Sequence, residues 1–400
     1  MKARFVAVLS QGVSLGISRG LALCLAALLA GCASAPPPMP SANDLFHDDA
    51  FAAPAERVDP AAALALSPAM SAYLAENFAR RGAFSDRRRL LLNALQRGAL
   101  KLEYDSAITR TASQAFDARS GNCLALVLMT AALAKELKLT VHYQQIVGDD
   151  AWSRADQFYI GIGHVNLRID DPTMHSNFPF TDGSNSMIVD FQPGVDLRAL
   201  QTHDVSERSV IAMYLNNRAV ELLASGKTDT AYWWAREAIR TDPEMTGSYV
   251  TLGVIYRSRG QSGWAERTLA RVAEREPDNV YAMSNRVLVL RDLGRVADAN
   301  DLAKRLQALD PHPPFSYFNE GLAAYRAGRV DAAQRLFAKE VARAPYHHEF
   351  EFWLAVTYAE LNDVERAKVH LRRAKEVSTT RKDQDLYAGK LERLKALTTQ

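Results

Sequence analysis

Pro243, Pro277, Pro311 and Pro345 follow one another at intervals of 34 residues. Proline has no backbone N–H to give to a continuing helix, so a proline on a fixed period closes one structural unit after another. A period of roughly 20–50 residues marks stacked supersecondary units. The residues between the prolines keep one template. Small side chains recur in a first helical stretch at Ala219, Gly253 and Gly321, and in a second at Ala231, Ala265, Ala299 and Ala333, where paired helices must approach closely. Turn glycines recur at Gly226, Gly260, Gly294 and Gly328, and larger packing residues at Leu222, Tyr256, Leu290 and Tyr358.

This template resembles the tetratricopeptide repeat (TPR) family, and "GSYVTLGVIYRSRGQSGWAERTLARVAEREPDN" is its fullest copy. Five units cover residues 210–377, and residues 378–400 read as a polar-faced capping helix. The last unit has Asn362 in place of the turn glycine and lacks the closing proline. A helical hairpin cannot bury its apolar face alone, so neighbours stack into a superhelix. The resemblance implies an all-α solenoid with a protein or peptide partner in its groove.

Residues 60–205 carry other patterns. "SPAMSAYLAENFA" and "DRRRLLLNALQRGAL" have helical spacing of apolar residues. "YDSAITRTASQAFDARSGN" reads as a helix capped by Asp105 or Ser106 and ended near Gly121. "CLALVLMTAALAKELKL" is a further helix with a continuous apolar face. Strands are expected at "VHYQQIV", "QFYIGI", "HVNLRI" and "SMIVDF", separated by turn-rich loops. Helices followed by strands indicate an α+β domain. Residues 195–209 would join it to the repeats.

The N-terminus reads as an export signal over residues 1–31. Lys2, Arg4 and Arg19 precede "GLALCLAALLAGC", an apolar run short for a membrane span. Leu29-Ala30-Gly31-Cys32 resembles the bacterial lipobox, which implies lipidation at Cys32 and a chain anchored in the bacterial cell envelope. No Asp follows Cys32, and by the same resemblance that favours the outer membrane, facing the periplasm. The Pro-rich stretch after it reads as a flexible tether over 32–59. An ordinary signal peptide, or an uncleaved anchor with a chance cysteine, is the alternative.

The chain has three cysteines. Cys24 falls in the signal and Cys32 takes the lipid, which leaves Cys123 as the one free thiol of the mature chain. An unpaired cysteine in an exported protein stands out as a reactive thiol. Buried free cysteine is also a common small hydrophobe, and the count alone leaves both readings open. Position adds to it: Cys123 opens a helix, whose free N–H groups favour a thiolate and a developing oxyanion.

Such a thiol needs a base, and the base an orienting acceptor. His164 alternates away from Val165, Leu167 and Ile169 on its strand, and Asp190 away from Met187, Val189 and Phe191. Taken singly, these are also a solvent-facing histidine and a charge at a sheet edge. Cysteine at a helix start, histidine on a strand and aspartate on a later strand together resemble the transglutaminase-like branch of the papain fold, over residues 100–195. More closely, the chain is similar to bacterial lipoproteins that fuse this domain to TPRs. The resemblance implies an α+β transglutaminase-like (papain-like) domain with Cys123 as nucleophile, His164 as general base and acid, and Asp190 as orienter. Two positions depart from the family's pattern: Asn166 replaces the aromatic two residues after the histidine, and Phe191 the proline after the aspartate.

Other candidates are Trp152, as a wall of a substrate groove or a cap on a core edge, and Asn122, as an oxyanion donor or a turn former. His175 with Asp170 and Asp171 is an alternative base and acid. His347 and His348 read as solvated residues of a repeat linker. No metal-ligand motif or phosphate-binding loop stands out, so no metal or cofactor is expected. With 48 basic and 46 acidic residues there is no basic stripe to hold nucleic acid. The expected function is cysteine acyl transfer on amide or peptide bonds, with the repeats holding a partner. The alternative is a non-enzymatic TPR adaptor or scaffold lipoprotein.

Overall fold

The structure is a computed structural model. It describes residues 38–54, 57–78, 86–96, 100, 102–105, 108–155, 158–171, 186–191, 201–312, 315–345, 347–378 and 381–397. The expected signal peptide, with Cys24 and Cys32, lies outside the described residues, as does His175. Among the described residues no helix is long and apolar enough to cross a membrane. Ser41–Gln400 forms one compact unit.

Two helices, α1 (Pro68–Phe78) and α2 (Arg87–Gln96), come first, then the short strand β1 (Glu103–Tyr104), helix α3 (Ala112–Ala118) and strand β2 (Ser120–Gly121). Helix α3 begins later than the pattern indicated. Thr111 accepts from the Gln114 N–H while the Gln114 side chain reaches back to the Thr111 N–H, and this reciprocal cap outweighs Asp105 or Ser106 as a start signal. Arg119, in the left-handed region at φ 52°, ends the helix. The chain can then return as β2, parallel to β1.

Helix α4 (Cys123–Glu136) is buried continuously from Cys123 to Ala134. A helix apolar on every side belongs inside a core. It packs against a sheet of β3 (Thr140–Ala155), β4 (Phe158–Asp170), β5 (Ser186–Val189) and β6 (Thr202–Val205), in the order β5-β4-β3-β6 and antiparallel throughout. The expected loop around "GDDAWSRAD" is instead part of β3, which continues past a register shift between Gln145 and Asp150. Likewise "FYIGI" and "HVNLRI" belong to one strand, β4. Long antiparallel pairing satisfies backbone groups that a loop would leave to solvent. The joining segment also supplies β6, an edge strand.

One face of the sheet is apolar: Tyr143, Val165, Leu167, Ile169 and Val189 pack into the core with α4, each burial contributing on the order of 2 kcal/mol. The opposite face carries His142, Gln144, Asn166 and Arg168 in cross-strand pairs. The apolar core does not stop at the repeats. Val210, Tyr214, Leu215 and Ala238 belong to it, and Trp233 and Trp234 pack on its edge.

Ten helices follow as five hairpins: α5 (Glu207–Ala224) with α6 (Thr228–Thr241), α7 (Thr246–Ser258) with α8 (Ser262–Arg275), α9 (Val280–Asp292) with α10 (Val296–Leu309), α11 (Ser316–Arg326) with α12 (Val330–Arg343), and α13 (His348–Glu360) with α14 (Val364–Glu376). The turn glycines adopt φ between 72° and 77°, and Asn362 takes the same left-handed place at φ 65°, which asparagine tolerates better than most residues. The small-residue positions are steric requirements. A Cβ on Gly321 would lie 2.6 Å from the Phe337 ring, and one on Gly253 would lie 2.8 Å from Leu269. Helix α15 (Arg381–Leu397) closes the stack, with Tyr387 and Leu391 packed on Leu371 and Ala374.

Two expectations fail here. From Ser41 onward the tether expected over 32–59 is a packed strap, because it carries rings that the repeats can stack: Phe51 lies on Tyr232 at 4.0 Å and His47 on Trp264 at 3.8 Å. His347 is no solvated linker residue either. It stacks on Phe350 at 4.1 Å, and burial, assisted by neighbouring His348, pulls its pKa down to about 4.

Candidate active site

The site forms where α4 begins and β5 ends. Asn122 precedes the helix with extended backbone, and its side-chain oxygen accepts from the Ala125 N–H at 2.9 Å. Its Nδ2 donates to Thr109 Oγ1 at 2.8 Å. Asn122 thus caps the helix, in keeping with its reading as a turn former. Gly121 lets the chain enter at this angle, since a Cβ there would meet Ala125 Cβ at 2.8 Å.

Cys123 is unpaired and 8% exposed. Its pKa is pushed up to about 11, first by burial and then by the negative charge of Asp190. Hydrogen bonds from the N–H groups of Leu124 and Val165 and from the Tyr104 hydroxyl oppose that rise. The expected lowering by the helix start is therefore present as a component and outweighed by desolvation. At neutral pH the resting group is a thiol.

His164 and Asp190 meet as the sequence indicated, Nε2 to Oδ2 at 2.8 Å, and His164 is 1% exposed. Asp190 lies just past the end of β5, next to Val189, which pairs with Leu167 of β4. Asn166 donates to the same Asp190 oxygen at 3.3 Å. Asn166 thus helps to hold the carboxylate. A carboxylate can only accept, so Nε2 carries a proton toward Asp190. Nδ1 is buried with no hydrogen-bond partner among the described residues. The thiol accepts from the N–H of Val165, the residue after His164, and His164 Nδ1 makes no hydrogen bond to the sulfur.

The other candidates separate. Trp152 lies on β3 opposite Gly161, outside any inter-strand loop, and its side chain is outside the described residues. Asp170 pairs with His142 at 3.1 Å and Asp171 with Arg87 at 2.8 Å, so neither joins the site. Sequence reasoning missed Tyr104. No periodicity marks it; the β1–β2 pairing of Tyr104 with Gly121 sets it beside Cys123. Thr109 was missed as well. It is buried, holds Asn122, and its N–H donates to Glu221 Oε1 of α5 at 2.7 Å, tying the site to the first repeat. Among the described residues no cluster of three or more His, Cys, Asp or Glu could hold a metal ion.

Comparison with known proteins bears on the repeats. The sequence profile of the tetratricopeptide repeat family matches residues 250–314 and 318–376. A TPR repeat-containing protein of Pseudomonas aeruginosa is 27% identical over 144 residues, 36% of this chain and 24% of that protein. The match thus spans about a quarter of the relative's length. Among solved structures, the TPR protein YrrB, described as having an unusual peptide-binding site, is 22% identical over 45% of this chain and 92% of its own, at a TM-score of 0.24. A thermophilic TPR protein of Thermus thermophilus is 18% identical over 44% of this chain and 97% of its own, at a TM-score of 0.30. The C-terminal region carries tetratricopeptide repeats.

Proposed function

We propose that this protein is a TPR scaffold that docks a protein or peptide partner, and that its N-terminal part is a transglutaminase-like cysteine module acting on amide or peptide bonds. The observation that supports the second half is the buried His164–Asp190 pair at 2.8 Å, with His164 Nδ1 unpartnered and with Asp190 and the Val165 N–H both acting on the helix-start Cys123. In this reading His164 Nδ1 takes the Cys123 proton as sulfur attacks the carbonyl carbon. The carbonyl oxygen becomes an oxyanion held by backbone N–H groups at the start of α4. Collapse breaks the C–N bond, His164 returns its proton to the leaving amine, and a thioester remains. Water or a second amine then releases the acyl group and regenerates the thiol. Asp190 keeps the ring in the required tautomer throughout. We further propose lipid attachment at Cys32, holding the chain on the outer membrane toward the periplasm; mass spectrometry of membrane-extracted protein tests it.

A second reading is a non-enzymatic TPR adaptor. It is favoured by the raised thiol pKa and the slight exposure of Cys123, both ordinary for a packing cysteine, and by comparisons that speak only for the repeats. A thiol-reactive acyl probe separates the two. The enzyme reading expects labelling that Cys123→Ala abolishes and His164→Ala strongly reduces. Labelling of the native chain no faster than that of a free peptide thiol supports the adaptor.

A further inference from the structure

The strap over residues 41–54 is held by the repeats in the manner of a bound peptide. Its internal backbone hydrogen bonds are confined to two single turns, Asn43–Leu45 and Asp48–Ala50. Side chains of α6, α7 and α8, with Arg259 after α7, take several of its other polar groups. Arg267 donates to the Asp44 carbonyl at 2.5 Å, Tyr256 to Leu45 at 2.5 Å, Arg259 to Ala50 at 3.1 Å and Trp233 Nε1 to Ala52 at 2.7 Å. Leu45 is inserted to 1% exposure.

The side-chain contacts come in two matching halves, "DLFH" and "DDAF", each an aspartate followed three residues later by a ring. Helix α8 takes the first half: Arg271 pairs with Asp44 at 2.9 Å and Trp264 stacks on His47. Helix α6 takes the second: Arg236 pairs with Asp48 at 2.9 Å and Tyr232 stacks on Phe51. Tyr232 Oη also donates to Asp48 at 2.6 Å and accepts from the His47 N–H at 2.9 Å. One guanidinium and one ring per helix thus read one acid and one ring per half. Beside these contacts a cavity of about 550 Å³ remains, bordered by Phe46, Asp49, Arg236 and Trp264.

We propose that the face built by α6, α7 and α8 is a docking site for a partner protein's extended acidic–aromatic segment, with two carboxylates four residues apart and a ring three residues after each. Residues 41–53 occupy this site in cis and regulate it. The proposal rests on the reading that the repeats dock a protein and names the face and the chemistry. A tethered segment has an effective concentration of roughly millimolar, so the strap excludes weak competitors and admits a partner whose segment binds more tightly or engages a second surface.

The test uses a fluorescent peptide of residues 41–54 and the full chain carrying Asp44→Ala, Asp48→Ala and Phe51→Ala, with binding read by anisotropy. The emptied chain binds the peptide, and the native chain binds it about tenfold or more weakly. Adding Arg236→Ala or Trp264→Ala to the emptied chain weakens binding by about tenfold, as does a peptide carrying both Asp44→Asn and Asp48→Asn. Where the triple variant is unstable, a protease site inserted between Pro54 and Val58 gives a cut chain that exchanges its own strap for the labelled peptide. Absence of binding to both the folded variant and the cut chain overturns the proposal, and so does equal binding of the Asn peptide. Either failure leaves partner docking elsewhere on the repeats standing, because pull-down with substitutions on α9 and α11, which lie outside this face, tests it separately.

Discussion

The repeats and the cysteine region are built on opposite principles. In the repeats every unit satisfies the same local rules, so Gly321 against Phe337 restates Gly253 against Leu269, and stability sums over nearest neighbours. The cysteine region depends on groups that local rules cannot bring together: Tyr104, Cys123, His164 and Asp190 come from β1, α4, β4 and the residue after β5. A periodic scaffold tolerates loss of one unit's detail. A convergent site does not, because its buried polar groups are satisfied by residues distant in sequence.

The largest effect should come from breaking the repeat rule where it is tightest. Phe337 is fully buried against Phe318 and faces Gly321, so Phe337→Ala should cost about 3–5 kcal/mol in urea unfolding. Protection of the Cys123 thiol should be retained, since that residue belongs to another core cluster. Simultaneous loss of both would mean that the two regions are one cooperative unit. Next comes Asp190→Ala, which leaves the buried His164 Nε2 without its acceptor and should cost about 1–3 kcal/mol. Asp190→Asn removes the charge that helps to raise the Cys123 pKa, so the thiol pKa measured by alkylation should fall below about 11.

The pH response distinguishes the regions by sign. The Cys123 pKa is raised from 9.0 to about 11 in the folded chain. Its contribution to stability is complete below pH 9 and is lost as pH rises through about 11. The His347 pKa is depressed from 6.5 to about 4. Its contribution is present above pH 6.5 and is lost as pH falls through about 4. Mild acid should therefore loosen the packing around Phe315 and Phe350, read by hydrogen exchange, while the cysteine region responds to base. The smallest effect is Asn362→Gly, within about 0.5 kcal/mol of neutral because lower left-handed strain offsets a more flexible unfolded chain. A calorimetric shift as large as that of Phe337→Ala would break the claim that this position needs only a left-handed backbone.

Legibility followed the same divide. The 34-residue prolines, the turn glycines and Asn362 each encode a local backbone requirement, and the repeats could be read unit by unit. His164 and Asp190 were legible as a pair because an acid next to an apolar strand must find a partner. The helix-start signal at Cys123 misled about the net pKa, since sequence shows the N–H groups and hides the burial that outweighs them. Tyr104 was invisible because a two-residue parallel ladder has no pattern. The strap was read as a tether from its prolines, and the tandem Asp-x-x-ring motif that seats it acquires meaning only opposite Arg236, Arg271, Tyr232 and Trp264.

The most direct measurement is the pH–rate profile for acylation of Cys123 by a small activated ester, in the native chain and in His164→Ala. If His164 Nδ1 removes the thiol proton during attack, the native rate levels off well below pH 11, and His164→Ala loses that plateau. A native rate that climbs without levelling until about pH 11, unchanged in His164→Ala, would identify Cys123 as a packing residue and leave the repeats as the working part of the molecule.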